Sequence, residues 1–177
     1  MFYISQSKEV FIIIYLLCTV IMFLLVVVDQ LTKVIMKIWL EPISTATFIP
    51  HVVRFNYAEN TGAAFSSLQN ARWFFITVTT IACIAMLYFF YAKKIKSGIL
   101  QTAVVFIVSG GIGNLIDRIF RGYVIDFIEP VFVDFAIFNF ADCLVTVGGA
   151  IVVCYLVYDI VRESKQEKLK KRSGENE

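Results

Sequence analysis

Two aspartates border apolar runs in this chain, Asp126 within Gly122-Tyr-Val-Ile-Asp126-Phe127 and Asp142 within Phe138-Asn-Phe-Ala-Asp142. An ionised group at a bilayer boundary costs free energy unless it is paired or solvated, so acids placed there point to function before structure. Two carboxylates about 3 Å apart can cleave a peptide bond without a metal or a nucleophilic side chain. Like-charge repulsion keeps one protonated while the other takes a proton from water. The pair then serves one carbonyl as general base and general acid.

Such a dyad needs amide and guanidinium donors to hold it, and glycines that let helices come close. Asparagine, arginine and glycine all occur near these acids. Other chemistries find little support. His51 is the sole histidine, which argues against a His-based triad or a multi-His metal site, and its default is a buried or interfacial hydrogen bond. Cys18, Cys83, Cys143 and Cys154 lie in apolar stretches without metal-ligand spacing and read as core thiols, Cys143 alone standing beside an acid.

The elements that must position the acids follow from composition. Of 177 residues 59% are hydrophobic and 17% charged, with mean hydropathy +0.77; soluble domains are about half apolar and about a quarter charged. This is an integral membrane protein of one domain, residues 1–177. A net charge of +2 gives no reason to expect nucleic acid. Uncharged stretches near the roughly 20 residues needed to cross hydrocarbon are Val10–Val28, Trp73–Ala92, Ile99–Ile116 and Cys143–Tyr158. They predict transmembrane helices over about 10–30, 72–92, 98–118 and 139–161, with Asp142 in the first turn of the last. The first apolar run is too long for a signal peptide and lacks a cleavage site.

Lysine and arginine set the orientation. With the amino terminus cytoplasmic, the inner side carries Lys8, Lys93, Lys94, Lys96 and the basic tail of 162–177. The longer outer loops, 31–71 and 119–138, keep few cations. Asp29, Asp117, Asp126 and Asp142 then all lie at the outer face, while Asp159 faces inward with Arg162 as its expected partner. Thr32–Leu40 reads as a short amphipathic interfacial helix with Trp39 as anchor. Thr47–Tyr57, Val124-Ile125, Val131–Val133 and Phe135–Ile137 are β-branched and aromatic, which favours strands. The expected architecture is mainly α: four transmembrane helices, a small extracytoplasmic β-sheet and a short interfacial helix.

Several residues have plainer readings. Asp117-Arg118 could be an ion pair closing a helix, Asp29 and Lys33 a surface i, i+4 pair, Asp142 a charge favoured by a helix dipole, and the glycines simple packing positions. A small proton-coupled transporter or channel using outer-face carboxylates is the competing function, although the acids cluster at one surface instead of the midplane. A non-catalytic subunit that recognises lipidated segments is a further one.

Five segments, in order, carry a resemblance: Asp29-Gln-Leu-Thr-Lys33, Asn60-Thr-Gly62-Ala63-Ala64-Phe65, Gly110-Gly-Ile-Gly113-Asn114-Leu-Ile-Asp117-Arg118, Gly122-Tyr-Val-Ile-Asp126-Phe127 and Phe138-Asn139-Phe-Ala-Asp142. Together they resemble the motifs of lipoprotein signal peptidase, also called signal peptidase II. Cys143, where serine is common, and Phe140, where an aliphatic residue is common, depart from the pattern. The resemblance implies an aspartyl endopeptidase of the bacterial inner membrane that removes signal peptides from prolipoproteins, cutting just before a diacylglyceryl-modified cysteine. It implies Asp126 and Asp142 as the dyad. Asp29, Lys33, Asn60, Gly110, Asn114, Arg118 and Asn139 are implied as dyad-supporting or substrate-binding. No cofactor or metal is implied. The expected partners are the prolipoprotein and membrane lipids, and the chain is expected to be monomeric, with both termini cytoplasmic and the site near the outer face. A gate formed by 59–68 and the interfacial helix is also expected.

Overall fold

The computed structural model describes residues 2–62 and 71–173, with side chains over 9–62 and 71–169. Seven elements follow in order: α1 (Phe2–Leu40), β1 (Thr45–Ile49), β2 (Val53–Asn60), α2 (Arg72–Tyr91), α3 (Gly98–Phe120), β3 (Val124–Pro130) and α4 (Phe140–Ser173). Each helix is long and apolar enough to cross a membrane, over Glu9–Leu40, Arg72–Tyr91, Gly98–Phe120 and Phe140–Leu169.

The helices differ in what their apolar residues touch. α3 is buried along one side from Ala103 to Asp117, and α1, α2 and α4 all pack on it. The outer three helices leave large apolar side chains exposed, Phe23, Ile84 and Ile160 among them. Such surface is stable only against lipid, since water would charge about 25 cal/mol for each Å² left uncovered. Met22, Phe90, Val104, Val105 and Val108 form the core of the bundle. The α3–α4 seam is tight because Gly110 lies against the Ala141 carbonyl, a position where a Cβ would overlap backbone.

Thr32–Leu40 is helical as expected, and continuous with α1 instead of set apart from it. No proline or glycine interrupts residues 10–40, and the charges that would break the run, Asp29 and Lys33, are paired inside the protein. The surface reading of that pair is corrected: both side chains are fully buried.

β1, β2 and β3 form one antiparallel sheet with β2 in the centre. Leu40, Ile125 and Phe127 make the small core beneath it, so the sheet is fixed to the end of α1. The β1–β2 turn holds His51 at φ 60°, exposed to solvent. Val131–Val133 and Phe135–Ile137, expected as strand, are irregular. Pro130 ends the strand, and the chain rejoins the sheet only at Phe138, whose N–H donates to the Ile128 carbonyl at 3.0 Å. Asp159 and Arg162 do not form the expected ion pair; the pairs among the described residues lie elsewhere.

Candidate active site

The return of the chain at Phe138 decides where the two acids meet. Phe138 accepts hydrogen bonds from the N–H groups of Phe127 and Ile128, at 3.0 and 2.8 Å, so the next residue, Asn139, is delivered beside Asp126 on β3. Asn139 donates its side-chain amide to Asp126 Oδ1 at 2.6 Å. The same residue precedes α4, where its backbone N–H donates to Asp142 Oδ2 at 3.1 Å and its Oδ1 accepts from the Asp142 N–H at 3.0 Å. This reciprocal arrangement is a capping box, with Asp142 in the place usually taken by glutamate.

The remaining oxygens are held by two further asparagines. Asn60, at the end of β2, donates to Asp126 Oδ2 at 2.9 Å, and Asn114 of α3 donates to Asp142 Oδ1 at 2.8 Å. All four carboxylate oxygens therefore accept from neutral amides. An ammonium or guanidinium bonded directly would lock both acids in the charged form. Burial first, and then the neighbouring Asp142, push the Asp126 carboxyl up to about 7, against the opposing effect of the Asn60 and Asn139 amides and the Lys33 charge.

Behind the asparagines lies a buried ionic cluster. The Lys33 ammonium donates to Asn114 Oδ1 at 2.9 Å and sits 2.9 Å from both Asp29 Oδ2 and Asp117 Oδ2. Its three protons meet three acceptors. Arg121 pairs with the second oxygen of Asp117, and Gln30 bridges both carboxylates, at 3.1 and 3.3 Å. Two acids and two bases make the cluster neutral, the condition under which buried charge is tolerable.

The two cluster carboxylates also reach the backbone. Asp29 Oδ1 accepts from the Ala141 N–H at 3.0 Å, and Asp117 Oδ2 from the Ile125 N–H at 3.4 Å. Ala141 and Ile125 are the residues immediately before Asp142 and Asp126. One lysine thus ties together two carboxylates that each hold the backbone next to one acid. Gly113 leaves the space that the Asp29 carboxylate occupies.

The acids open on a cavity of about 570 Å³, walled by Asn60, Phe75, Arg118, Phe138, Cys143 and Val147 among others. Arg118 donates to the Gly62 carbonyl at 3.2 Å, and its guanidinium lies 5.0 Å over the Phe75 ring. The expected Asp117–Arg118 pair is corrected accordingly: Asp117 bonds inward to Lys33 and Arg121, whereas Arg118 turns to the cavity. Cys143 is partly buried in the cavity wall, Cys83 is buried, Cys18 is intermediate and Cys154 is exposed, so the expectation of core thiols fails for Cys154. Gly110 makes no part of the cavity and serves the helix seam.

Of the residues singled out from sequence, Asp126, Asp142, Asn60 and Arg118 line the cavity, Asn114 and Asn139 hold the acids, and Asp29 and Lys33 stand one layer behind. Gln30 and Arg121 were missed. The i, i+4 spacing of Asp117 and Arg121 was the available signal. Residues 63–68, part of the expected gate, lie outside the described residues.

Two carboxylates facing one cavity between spanning helices place the protein among membrane-embedded aspartic peptidases. Comparison with known proteins gives the particular group. The model of the signal peptidase (SPase) II family matches residues 21–158, and the chain belongs to that family. It is 43% identical over 133 residues to the lipoprotein signal peptidase of Streptococcus pyogenes serotype M5 (strain Manfredo), covering 75% of this chain and 88% of that one. Its counterpart from serotype M3 (strain ATCC BAA-595 / MGAS315) is 42% identical over the same shares. Two solved structures of a bacterial membrane enzyme, obtained by the in meso method, each superpose with a TM-score of 0.73 at 33% identity. They cover 81% and 80% of this chain, and 88% and 93% of theirs. The transporter or channel reading finds no support in these relatives. The chain is an aspartic peptidase of a bacterial membrane.

Proposed function

We propose that the protein cleaves the signal peptide from prolipoproteins, immediately before a cysteine carrying diacylglycerol, with Asp126 and Asp142 as the catalytic dyad. The observation that carries this reading is the shared asparagine: Asn139 bonds both acids, at 2.6 and 3.1 Å, and aims them at one cavity. The cut is set at the outer membrane face, with both termini cytoplasmic, because the inner loops hold most of the lysines and arginines.

Asp126 is assigned the shared proton, since burial and the neighbouring Asp142 push its carboxyl up to about 7. Asp142, ionised, takes a proton from water as the water oxygen bonds to the scissile carbonyl carbon. Asp126 donates its proton to the carbonyl oxygen, which gives a tetrahedral diol. As the diol collapses and the C–N bond breaks, Asp126 takes back a hydroxyl proton and Asp142 gives the proton it took from water to the leaving cysteine amine. Arg118 faces the same cavity, and among the described residues its side chain bonds only the Gly62 carbonyl, which suits its other donors to substrate carbonyls. Asn60, Asn114 and Asn139 hold the acids. Asp29 and Lys33 fix the elements that carry them, and Gly110 lets α3 and α4 close on the site. A single copy of the chain supplies every one of these groups.

The test is cleavage of a diacylglyceryl prolipoprotein in liposomes by Asp126→Asn and Asp142→Asn. Each variant is expected to lose at least about 10³-fold in turnover while remaining inserted and folded. Full cleavage by either one overturns the assignment.

A further inference from the structure

At the end of the bundle away from the dyad, α3 and α4 leave a second cavity of about 450 Å³, lined by Ile99 of α3 and by Val147, Ala150, Cys154, Tyr155 and Tyr158 of α4. Apart from two tyrosine hydroxyls the wall is apolar. Neither hydroxyl has a hydrogen-bond partner among the described residues.

Length limits what this groove can hold. From Val147 to Tyr158 it runs along α4 for about 16 Å at 1.5 Å per residue. That is one leaflet of a hydrocarbon core about 30 Å thick, the depth of a single acyl chain. A helix crossing the whole bilayer would need roughly 20 residues of contact.

Charge separates the two classes of occupant further. At 3.6 residues per turn, Lys165 lies five turns beyond Val147 and Arg162 about three turns beyond Ile151, so both continue the groove face past Tyr158. Asp159 and Glu163 fall well to the side by the same geometry. Lys96 stands three residues before Ile99, in the connection that leads into α3. All three cations are exposed and none is in an ion pair among the described residues. Cations at this position repel the positive end of a signal peptide and attract phosphate.

We infer that the α3–α4 groove binds an anionic glycerophospholipid of the inner leaflet. One acyl chain lies along Val147, Ala150 and Cys154. The tyrosine hydroxyls meet the ester region, and Arg162, Lys165 and Lys96 meet the phosphate. The groove meets the dyad cavity only at Val147, which borders both, and runs from there toward the other end of α4; its occupancy does not depend on the peptidase mechanism.

The experiment is native mass spectrometry of the full chain released from nanodiscs holding equal dioleoylphosphatidylglycerol and dioleoylphosphatidylcholine. The unaltered protein is expected to retain the anionic lipid about tenfold more than the zwitterionic one. The doubly substituted Arg162→Gln/Lys165→Gln protein, changed only on a solvated surface, is expected to lose that preference with turnover unchanged. Ala150→Trp, which fills the groove, is expected to lose both lipids. Equal retention of the two lipids by the unaltered chain overturns the inference, as does a preference that survives the double substitution. Displacement of the lipid by a synthetic apolar helix with a basic amino end would assign the groove to the signal peptide instead.

Discussion

Asn139 and Asp142 hold each other across the first turn of α4, each donating its backbone N–H to the other's side chain, at 3.1 and 3.0 Å. The helix cap and one wall of the candidate site are therefore the same structure. Asn139→Ala removes the cap and the Asp126 bond together. It is expected to lower stability by about 0.5–2 kcal/mol and turnover by about 10²-fold, with thermal unfolding in detergent and a cleavage assay as the paired measurements. A loss of stability with turnover intact would separate the cap from the chemistry.

The protonation of Asp126 sets an expected pH dependence. Its carboxyl is pushed up to about 7, and the proposed acid must carry a proton, so the alkaline limb of kcat/KM should fall as pH rises through about 7. The sign for stability is the same. Raising the folded-state value above the unfolded 3.8 makes ionisation in place unfavourable, so the contribution present below that value is lost as pH rises to about 7. A pH–rate profile measured in liposomes checks this, and a curve still rising above pH 8 would contradict it.

Lys33 neutralises Asp29 and Asp117 where all three side chains are fully buried. Lys33→Met leaves Asp29 without a cation and Asp117 with Arg121 alone, and is expected to cost about 3–5 kcal/mol of stability. Adding Asp29→Leu to that variant should recover part of the loss, because one stranded charge is removed with the cation. Thermal unfolding of the single and double variants decides the matter; strictly additive losses would sink the cluster as a unit.

Gly110 faces the Ala141 carbonyl with no room for a methyl group. Gly110→Ala should push α4 away from α3, with a cost of about 1–3 kcal/mol and reduced turnover, because Ala141 directly precedes Asp142. Gly98, with nothing near its missing Cβ, is the control: Gly98→Ala should leave turnover unchanged.

Cys143 stands in the wall of the 570 Å³ cavity beside Asp142. Cys143→Ser should keep at least about a third of the activity, since the hydroxyl replaces a thiol that makes no bond to either acid. A bulky maleimide should inactivate the unaltered protein and spare this variant, as read by cleavage after labelling.

Much of this was legible in the sequence, for physical reasons that differ by element. The four spans showed themselves because a bilayer demands long apolar runs, and the sheet because Thr47–Tyr57 and Val124-Ile125 are rich in β-branched and aromatic residues. The acids stood out as charges set against apolar sequence. What stayed hidden was pairing at a distance. Lys33 and Asp117 are separated by most of the outer domain and two helices, and no local pattern says that they touch. The i, i+4 spacing of Asp29 and Lys33 signalled an ion pair but not its burial, which depends on α3 and its glycines covering them. Likewise Val131–Ile137 has strand composition, and only the return of Phe138 to Ile128 shows that the intervening residues bridge the sheet and α4.

The place of Asn139 and Asp142 at the start of α4 also bears on how the protein comes into being. Asn60, Asn114, Arg118 and the buried Asp29–Lys33–Asp117 cluster are all synthesised earlier. Until the fourth helix has entered the membrane, Asp126 lacks its neighbour Asp142 and one of the two amides that hold it, keeping only Asn60. With Asp126 and Asp142 as the proposed dyad, the chain is expected to stay inert during its own biogenesis, competence for hydrolysis arriving with the last spanning segment.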